Sequence, residues 1–252
     1  DARTGRVVFQ PEDVPRDIVR GLIPAALEKN PPRIALVRFH QEIGRPEFSE
    51  GNPGRAVEDL VPEAGVAVFS KEPLEEHQPL RPQTDRAPRR VDAERQLRAW
   101  GRTSGISVVI LRVPGIYAAD RLPIDRIRAG TPALRDADDA YTNHIHAEDL
   151  ARIVLAALAR GRSQRAYNAS DGSWLKMGEY FDLVAGSFGL PLPARVSRQD
   201  AEARMPETLL SFMRESRRLN NRRLREELRF RLRYPTVAEG VAEAARQRTG
   251  PG

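Results

Sequence analysis

Short apolar runs alternate along this chain with stretches whose apolar residues recur at helical spacing. The clearest run, residues 106–111, is almost continuously apolar, which is typical of a strand buried on both faces. Residues 89–104 before it and 149–159 after it have apolar positions that favour helices. Because strands that alternate with helices usually form a parallel sheet, the pattern predicts an α/β fold with strand 106–112 in its centre.

The same periodicity predicts weaker elements elsewhere. The further predicted strands are 6–9, 34–37, 66–69 and 167–170, the further predicted helices are 12–29, 54–61, 177–188 and 221–228, and residues 40–65 and 70–88 are predicted to be mostly loop. We expect Gly189 to end helix 177–188, and Asn220 or Asn221 to cap the helix near 221. Asp149 is expected at the positively polarised start of helix 149–159.

These elements divide the chain into two lobes and a tail. We assign residues 1–169 to an α/β core, residues 170–245 to a smaller C-terminal lobe, and residues 246–252 to a frayed tail. The chain begins at Asp1 rather than at a methionine, which fits a fragment or a processed product.

Four segments carry recognisable motifs. They are 110–117 (Ile-Leu-Arg-Val-Pro-Gly-Ile-Tyr), 143–151 (Asn-His-Ile-His-Ala-Glu-Asp-Leu-Ala), 167–172 (Tyr-Asn-Ala-Ser-Asp-Gly), and 224–228 followed by 234–240. In this order and spacing they resemble the C-terminal part of the NAD-dependent epimerase/dehydratase family, the extended short-chain dehydrogenases, over residues 79–245. The resemblance implies a Rossmann-like parallel sheet flanked by helices, a small substrate-type lobe, NAD or NADP as cofactor, and a sugar-nucleotide or small carbonyl substrate.

The resemblance also implies site residues in the first motif, which in the family borders the nicotinamide and the substrate. Arg112, Pro114 and Gly115 are the implied cofactor contacts, and Tyr117 is the catalytic candidate. A tyrosine that only packs the loop is the alternative for Tyr117, and the sequence leaves both open.

Two histidines in the second motif are implied to lie near the substrate. For His144 and His146 we favour a structural role in which a ring nitrogen bonds the backbone. A metal site is not expected, because the chain has no cysteine and no further histidine completes a ligand set.

The cofactor and catalytic motifs of the family are missing. No three early glycines have the G-x-x-G-x-x-G or G-x-G-x-x-G spacing that lets a backbone approach a pyrophosphate. Aligning Glu94 with the acidic residue that follows the family's lysine puts Arg86 and Arg90 at the positions of the catalytic tyrosine and lysine. A guanidinium that is always charged cannot act as the acid or base. We therefore expect no ordinary oxidoreductase turnover, and a non-catalytic interaction or assembly protein on the same scaffold is the alternative function.

Charge and composition bear on whether the chain binds nucleic acid, spans a membrane or forms a dimer. The net charge of +6 could indicate a nucleic-acid partner, but residues 214–233 interleave arginine with glutamate, which favours a solvated helical face. No segment has the roughly 18 apolar residues of a membrane span, and no apolar signal core follows the N-terminus, so we expect a cytoplasmic protein. The resemblance implies a homodimer through residues 12–29 and 86–103. The many charged residues in 86–103 argue against it, and the sequence leaves the oligomeric state open.

Overall fold

The computed structural model describes residues 33–39, 73–80, 86–204, 210 and 216–249. Its strands are β1 (Arg33–Phe39), β2 (Ser107–Val113), β3 (Gly115–Tyr117), β4 (Ala133–Leu134), β5 (Tyr141–Thr142), β6 (His144–His146), β7 (Ala166–Asn168), β8 (Leu175–Lys176) and β9 (Arg195–Val196). Its helices are α1 (Arg86–Ser104), α2 (Ile124–Arg128), α3 (Ala147–Arg160), α4 (Met177–Ser187), α5 (Arg198–Arg204), α6 (Arg222–Glu226) and α7 (Val237–Thr249). The elements predicted for 6–9, 12–29, 54–61 and 66–69 lie outside the described residues.

A parallel sheet with the order β1-β2-β7 forms the centre of the described structure. β1 pairs with β2 from Arg33 opposite Ser107 to Phe39 opposite Val113, and β7 pairs along the other edge of β2. The prediction that this strand is central is confirmed, and so is the α/β class with helices on a parallel sheet.

The two faces of β2 are covered by different helices. Val109 and Leu111 pack in a large apolar cluster with residues of α3, whereas Val108 packs in a small cluster with Leu97 of α1. A Cβ atom on Gly101 would lie only 2.5 Å from Val108 Cγ2. The glycine therefore allows the polar helix α1 to approach β2 closely.

Helix α3 begins at Ala147, two residues before the predicted start. Its N-cap is His146, whose side chain accepts a hydrogen bond from the backbone N–H of Glu148. Asp149 lies in the first turn, as expected, and pairs with Arg152 at 2.8 Å. It is also fully buried and accepts the backbone N–H groups of Arg233 and Tyr234 at 2.9 Å each, which ties the segment before α7 to α3.

Helices α4, α2 and α7 build the C-terminal part around the buried side chains of Phe181 and Val184. Gly189 ends α4 as expected. It has φ +64°, and the N–H of Leu190 bonds the carbonyl of Ala185 at 2.9 Å, which completes a Schellman motif. Asn221 is the N-cap residue of α6 but makes no side-chain capping bond; the side chain of Asn220 accepts the N–H of Arg222 at 2.8 Å.

Two boundaries differ from the predictions. The sequence predicts an exposed loop to residue 88, but α1 begins at Arg86, and within 73–80 Leu74 bridges Leu219 while Glu76 is buried. The last helix runs to Thr249, past the predicted start of the frayed tail. None of the described helices is long and apolar enough to cross a membrane.

Candidate functional site

The carboxyl edge of the sheet, where β1, β2 and β7 end, is the place where open α/β sheets bind ligands. Two distant segments close over this edge. The N–H of Leu74 bonds the carbonyl of Arg218 at 2.7 Å, and the N–H of Asn220 bonds the carbonyl of Leu74 at 3.0 Å. The side chain of Asn168, the last residue of β7, donates to the carbonyls of both Leu74 and Asn220.

Arg112, an implied cofactor contact, is held at this edge by carboxylate and carbonyl oxygens. Its Nη2 lies 3.0 Å from Glu94 Oε1, its Nε lies 3.3 Å from Glu94 Oε2, and its Nη1 donates to the carbonyl of Glu76 at 3.1 Å. Arg98 pairs with the same carboxylate at 3.0 Å. Burial raises the pKa of Glu94, but the bonds and charges of Arg112 and Arg98 outweigh burial and lower it overall.

Glu76 is a second buried carboxylate beside this pair. Its Oε1 accepts the N–H of Asn168 at 2.9 Å, and its Oε2 lies 3.4 Å from Arg223 Nε without a well-formed hydrogen bond. Burial raises its pKa, although the N–H of Asn168 and the charge of Arg223 oppose the shift. We call Glu76, Glu94, Arg98, Arg112 and Arg223 the ion-pair cluster. Sequence analysis missed Glu76, because nothing in its Pro- and Glu-rich segment marks it as buried.

Pro114 and Gly115, the other implied cofactor contacts, are buried between strands. The N–H of Gly115 donates to the carbonyl of Asn143 at 3.1 Å, and Gly115 pairs with His144 in the parallel pair of β3 and β6. The structure therefore places both residues next to Arg112 in the chain but inside the protein.

Tyr117, the catalytic candidate, is 2% exposed, and its hydroxyl donates to the carbonyl of Thr236 at 3.4 Å. A Cβ atom on Gly240 of α7 would lie 2.5 Å from the hydroxyl, so the helix backbone closes directly over the ring. Burial, followed by the charge of Asp171, raises the pKa of Tyr117 far above its usual range. This environment favours the packing alternative, because a proton donor must reach a substrate and release its proton near neutral pH.

The two histidines have different surroundings. His146 packs on Tyr234 with ring centroids 3.9 Å apart, and its Nδ1 accepts the N–H of Glu148 at 3.2 Å, as expected for a structural histidine. His144 is 4% exposed and packs on Tyr180 at 4.3 Å. Its Nδ1 has no hydrogen-bond partner among the described residues, which differs from the expectation, and burial lowers its pKa to about 3.

The rings of these residues form one aromatic group, with the ring of Tyr117 5.1 Å from that of His146 and 6.2 Å from that of His144. We call it the tyrosine–histidine cluster; its members are Tyr117, His144, His146, Tyr180 and Tyr234. The carboxyl group of Asp171 adjoins it, 1% exposed, and one oxygen accepts the N–H of Ser173 at 2.8 Å. Asp171 lies in one of the four sequence motifs, but the sequence gives no sign of its role.

An exposed aromatic surface lies near the same edge of the sheet. Trp174 is 45% exposed, and its indole N–H donates to the carbonyl of Leu219, which adjoins Leu74. The guanidinium carbon of Arg218 lies 5.5 Å from the ring centroid of Trp174 and 5.1 Å from that of Tyr141. We call Tyr141, Trp174 and Arg218 the Trp174 surface. An indole face beside a guanidinium can stack a planar base and attract a phosphate, and the hydrophobic pattern alone did not reveal it.

In the described part of the chain, no three histidine, aspartate or glutamate side chains are grouped so that they could hold a metal ion.

No protein-family profile matches the chain, and no curated protein matches its sequence. Solved structures do resemble it. A conserved protein of unknown function from Silicibacter pomeroyi superposes with a TM-score of 0.66 at 24% identity, over 86% of this chain and 67% of that one. The dTDP-glucose 4,6-dehydratase DesIV of Streptomyces venezuelae, with NAD and TYD bound, gives 0.60 at 19% identity, over 85% and 59%.

The UDP-glucose 4-epimerase of Thermus thermophilus, in complex with NAD, gives a TM-score of 0.58 at 18% identity, over 87% of this chain and 65% of that one. This chain therefore spans between 59% and 67% of the length of the three structures. At these identities the similarity establishes the fold. The expected Rossmann-like architecture is confirmed, and it is the fold of structures from the NAD-dependent epimerase/dehydratase family.

Proposed function

We propose that this chain is a member of the NAD-dependent epimerase/dehydratase family that binds a nucleotide-type ligand and does not perform the family's Tyr/Lys hydride transfer. The ligand is NAD, NADP or a sugar nucleotide, and it lies at the carboxyl edge of the sheet. The observation that carries the proposal is the Trp174 surface, where an exposed indole and the guanidinium of Arg218 meet at that edge. An aromatic face with an adjacent cation suits the base and phosphate of a nucleotide.

The shared fold supports the same ligand class. The dehydratase and the epimerase that resemble this chain are described with NAD bound. However, the residues that the resemblance implies for the cofactor do not fit that role well. Arg112 is occupied by Glu94 and by the carbonyl of Glu76, and Pro114 and Gly115 are buried. We therefore derive no chemical step through a nicotinamide.

We infer the absence of hydride transfer from the residues that stand where the proton would be moved. Arginine stands at positions 86 and 90, where the resemblance places the tyrosine and lysine, and no tyrosine of the chain has a lysine four residues later. Tyr117, the other candidate, is buried under Gly240 with a raised pKa.

Ligand-induced thermal stabilisation tests the proposal on the whole chain. The probes are NAD, NADH, NADPH, UDP-glucose and dTDP-glucose. A ligand at a hundred times its Kd adds about 2.7 kcal/mol, which for a chain of this size raises Tm by roughly 5 to 10 °C. We expect at least one probe to do so, and Trp174→Ala and Arg218→Ala to weaken the effect. A matched control is Trp100→Ala, because Trp100 is also exposed but lies on α1.

Two outcomes would contradict the proposal. If none of the five probes raises Tm, the chain does not bind a nucleotide-type ligand, and a non-catalytic interaction or assembly protein on the same scaffold is favoured. If the chain sustains reduction of NAD or NADP with a sugar nucleotide or carbonyl compound, the claim of absent hydride transfer is wrong.

A further inference from the structure

Two buried titratable side chains have no part in the proposed function. Asp171 is 1% exposed, and its Oδ2 has no hydrogen-bond partner among the described residues, while its Oδ1 accepts the N–H of Ser173. His144 is 4% exposed, and its Nδ1 likewise lacks a partner in the described part of the chain. Buried polar atoms without partners are uncommon in folded proteins, so these two need a physical account.

Among the described residues, the charges that raise the pKa of Asp171 most are the carboxylates of Asp149 on α3 and Glu239 on α7. The charge of Asp171 acts in turn on the hydroxyls of Tyr117 on β3 and Tyr180 on α4. An ionised carboxylate in these surroundings would lose its hydration without gaining a counterion. Burial accordingly raises the pKa of Asp171 to about 7, and the nearby carboxylates add to the shift against the opposing bonds from Ser173.

His144, on β6, is neutral for a parallel reason. Its ring packs on Tyr180 at 4.3 Å and stands edge-on to Tyr117 at 6.2 Å. Burial in this aromatic environment disfavours an imidazolium and lowers the pKa of His144 to about 3.

Both residues belong to a structural junction. The N–H of Asp171 donates to the carbonyl of His144 at 2.7 Å. The hydroxyl of Ser173, two residues on, accepts the N–H of Val237, the first residue of α7, at 2.7 Å. The turn at 170–173 therefore connects β6 to the start of α7.

We propose that Asp171 and His144 are both buried in uncharged form, and that the hydrogen-bonded turn between them is a pH-sensitive junction between β6 and α7 that loosens when Asp171 loses its proton. While Asp171 is protonated, the junction is intact. Ionisation of Asp171 places a charge among two tyrosines and two carboxylates, and the turn at 170–173 must then open towards water to hydrate it.

The two residues have opposite effects on the pH dependence of stability. The pKa of Asp171 is about 7 in the folded chain and 3.8 ordinarily, so its contribution to stability is lost as pH rises between those values. The pKa of His144 is about 3 in the folded chain and 6.5 ordinarily, so stability increases as pH rises between those values. Each effect changes the unfolding constant about tenfold per pH unit, and from about pH 4 to pH 6.5 they offset each other.

Carbon-13 NMR of the whole chain labelled at its aspartate carboxyl groups tests the proposal directly. We expect one carboxyl signal to titrate with a midpoint near pH 7. That signal should be absent from Asp171→Asn and present in Asp125→Asn, whose side chain is fully exposed. The imidazole of His144 should stay neutral down to pH 5. If every aspartate titrates below pH 5, or if His144 is charged at pH 5, the proposal is overturned, and neither result depends on a variant folding.

Urea unfolding between pH 4.5 and pH 6.5 provides the second test. Asp171→Asn removes one of the two offsetting effects and leaves that of His144. Its unfolding constant relative to that of the wild type should therefore fall about tenfold for each unit by which pH rises. His144→Phe should show the opposite trend. A pH profile of Asp171→Asn parallel to that of the wild type would overturn the proposal.

Discussion

Two buried polar clusters flank the end of β2, and they accommodate burial in different ways. The ion-pair cluster holds Arg112 in its charged form between the carboxylate of Glu94 and the backbone carbonyl of Glu76. The tyrosine–histidine cluster contains Tyr117, which follows Arg112 in the chain. Its titratable members are neutral among aromatic rings. The difference follows from the side chains, because a guanidinium cannot lose its charge, whereas histidine, aspartic acid and tyrosine can adopt an uncharged form.

The two clusters also join different elements of the fold. The ion-pair cluster joins α1, β2 and the segment 73–80 through Arg112, which binds the carboxylate of Glu94 and the carbonyl of Glu76. The tyrosine–histidine cluster joins β3, β6, α4 and α7 through close ring packing. Loss of one charge should therefore damage the first more than loss of one hydroxyl damages the second.

The largest expected effect is that of Glu94→Ala. The side chains of Glu94 and Arg112 are 4% and 12% exposed, so the variant leaves a buried guanidinium without its carboxylate and should destabilise the chain. Breaking one partner of a buried pair costs about 3–5 kcal/mol. Urea unfolding at neutral pH measures it, with Glu226→Ala, whose side chain is 68% exposed, as a control that should change little.

The same pair has a defined pH dependence. Because the pKa of folded Glu94 lies below its ordinary value of 4.5, its contribution is present above that pH and is lost as pH falls through the folded pKa. If Glu94→Ala costs less than about 1 kcal/mol, the pair behaves like a surface ion pair, and the contrast between the clusters is wrong.

The next effect is that of Gly240→Ala in the second cluster. The added Cβ would lie 2.5 Å from the hydroxyl and ring of Tyr117, so ring or helix must shift. Overpacking of this kind costs about 1–3 kcal/mol. Gly186→Ala in α4 is the matched control, because nothing lies within 4 Å of its added Cβ. There the alanine should stabilise the helix by about 0.5–1 kcal/mol, and equal effects at both positions would contradict the close packing of Tyr117.

Arg98→Ala sharpens the account of the first cluster. Arg98 shares the carboxylate of Glu94 with Arg112 but is 24% exposed, so its loss leaves Glu94 paired. We expect a loss of about 1 kcal/mol in urea unfolding, well below that of Glu94→Ala. A larger loss than for Glu94→Ala would show that Arg98, rather than Arg112, is the main partner.

The smallest effect is expected for Tyr117→Phe. Its hydroxyl makes a long bond of 3.4 Å to the carbonyl of Thr236, so the loss should be at most about 1 kcal/mol. The ligand-induced rise in Tm should not change, because the hydroxyl is buried and bonds a backbone carbonyl. If the wild type shows oxidoreductase turnover that the variant lacks, Tyr117 is an acid or base and its packing role is incomplete.

Much of the fold could be predicted because it depends on local patterns. The apolar run of β2 and the single apolar face of α3 each identify one element without reference to the rest. Gly189 marked the end of α4 for an equally local reason, since its positive φ favours glycine. The boundary of α1 and the role of Asp149 were less accessible, because they depend on what packs against them.

The candidate site was much harder to predict. The burial of Glu76 depends on Asn168 and Arg223, which are far away in the sequence. Arg112 was assigned by resemblance as a ligand contact, but its carboxylate partner lies on another element. The exposure of Trp174 could not be derived either, because a tryptophan is on average largely buried.

The α/β class, the central position of β2, the resemblance to the epimerase/dehydratase family and the missing Tyr/Lys pair can all be read from the sequence alone. Such features depend on residue identity and on preferences acting over a few positions. The environment of each buried titratable group depends on the tertiary structure. The pKa of Asp171 is raised by its burial and by the charges of Asp149 on α3 and Glu239 on α7, which are far from it in the sequence.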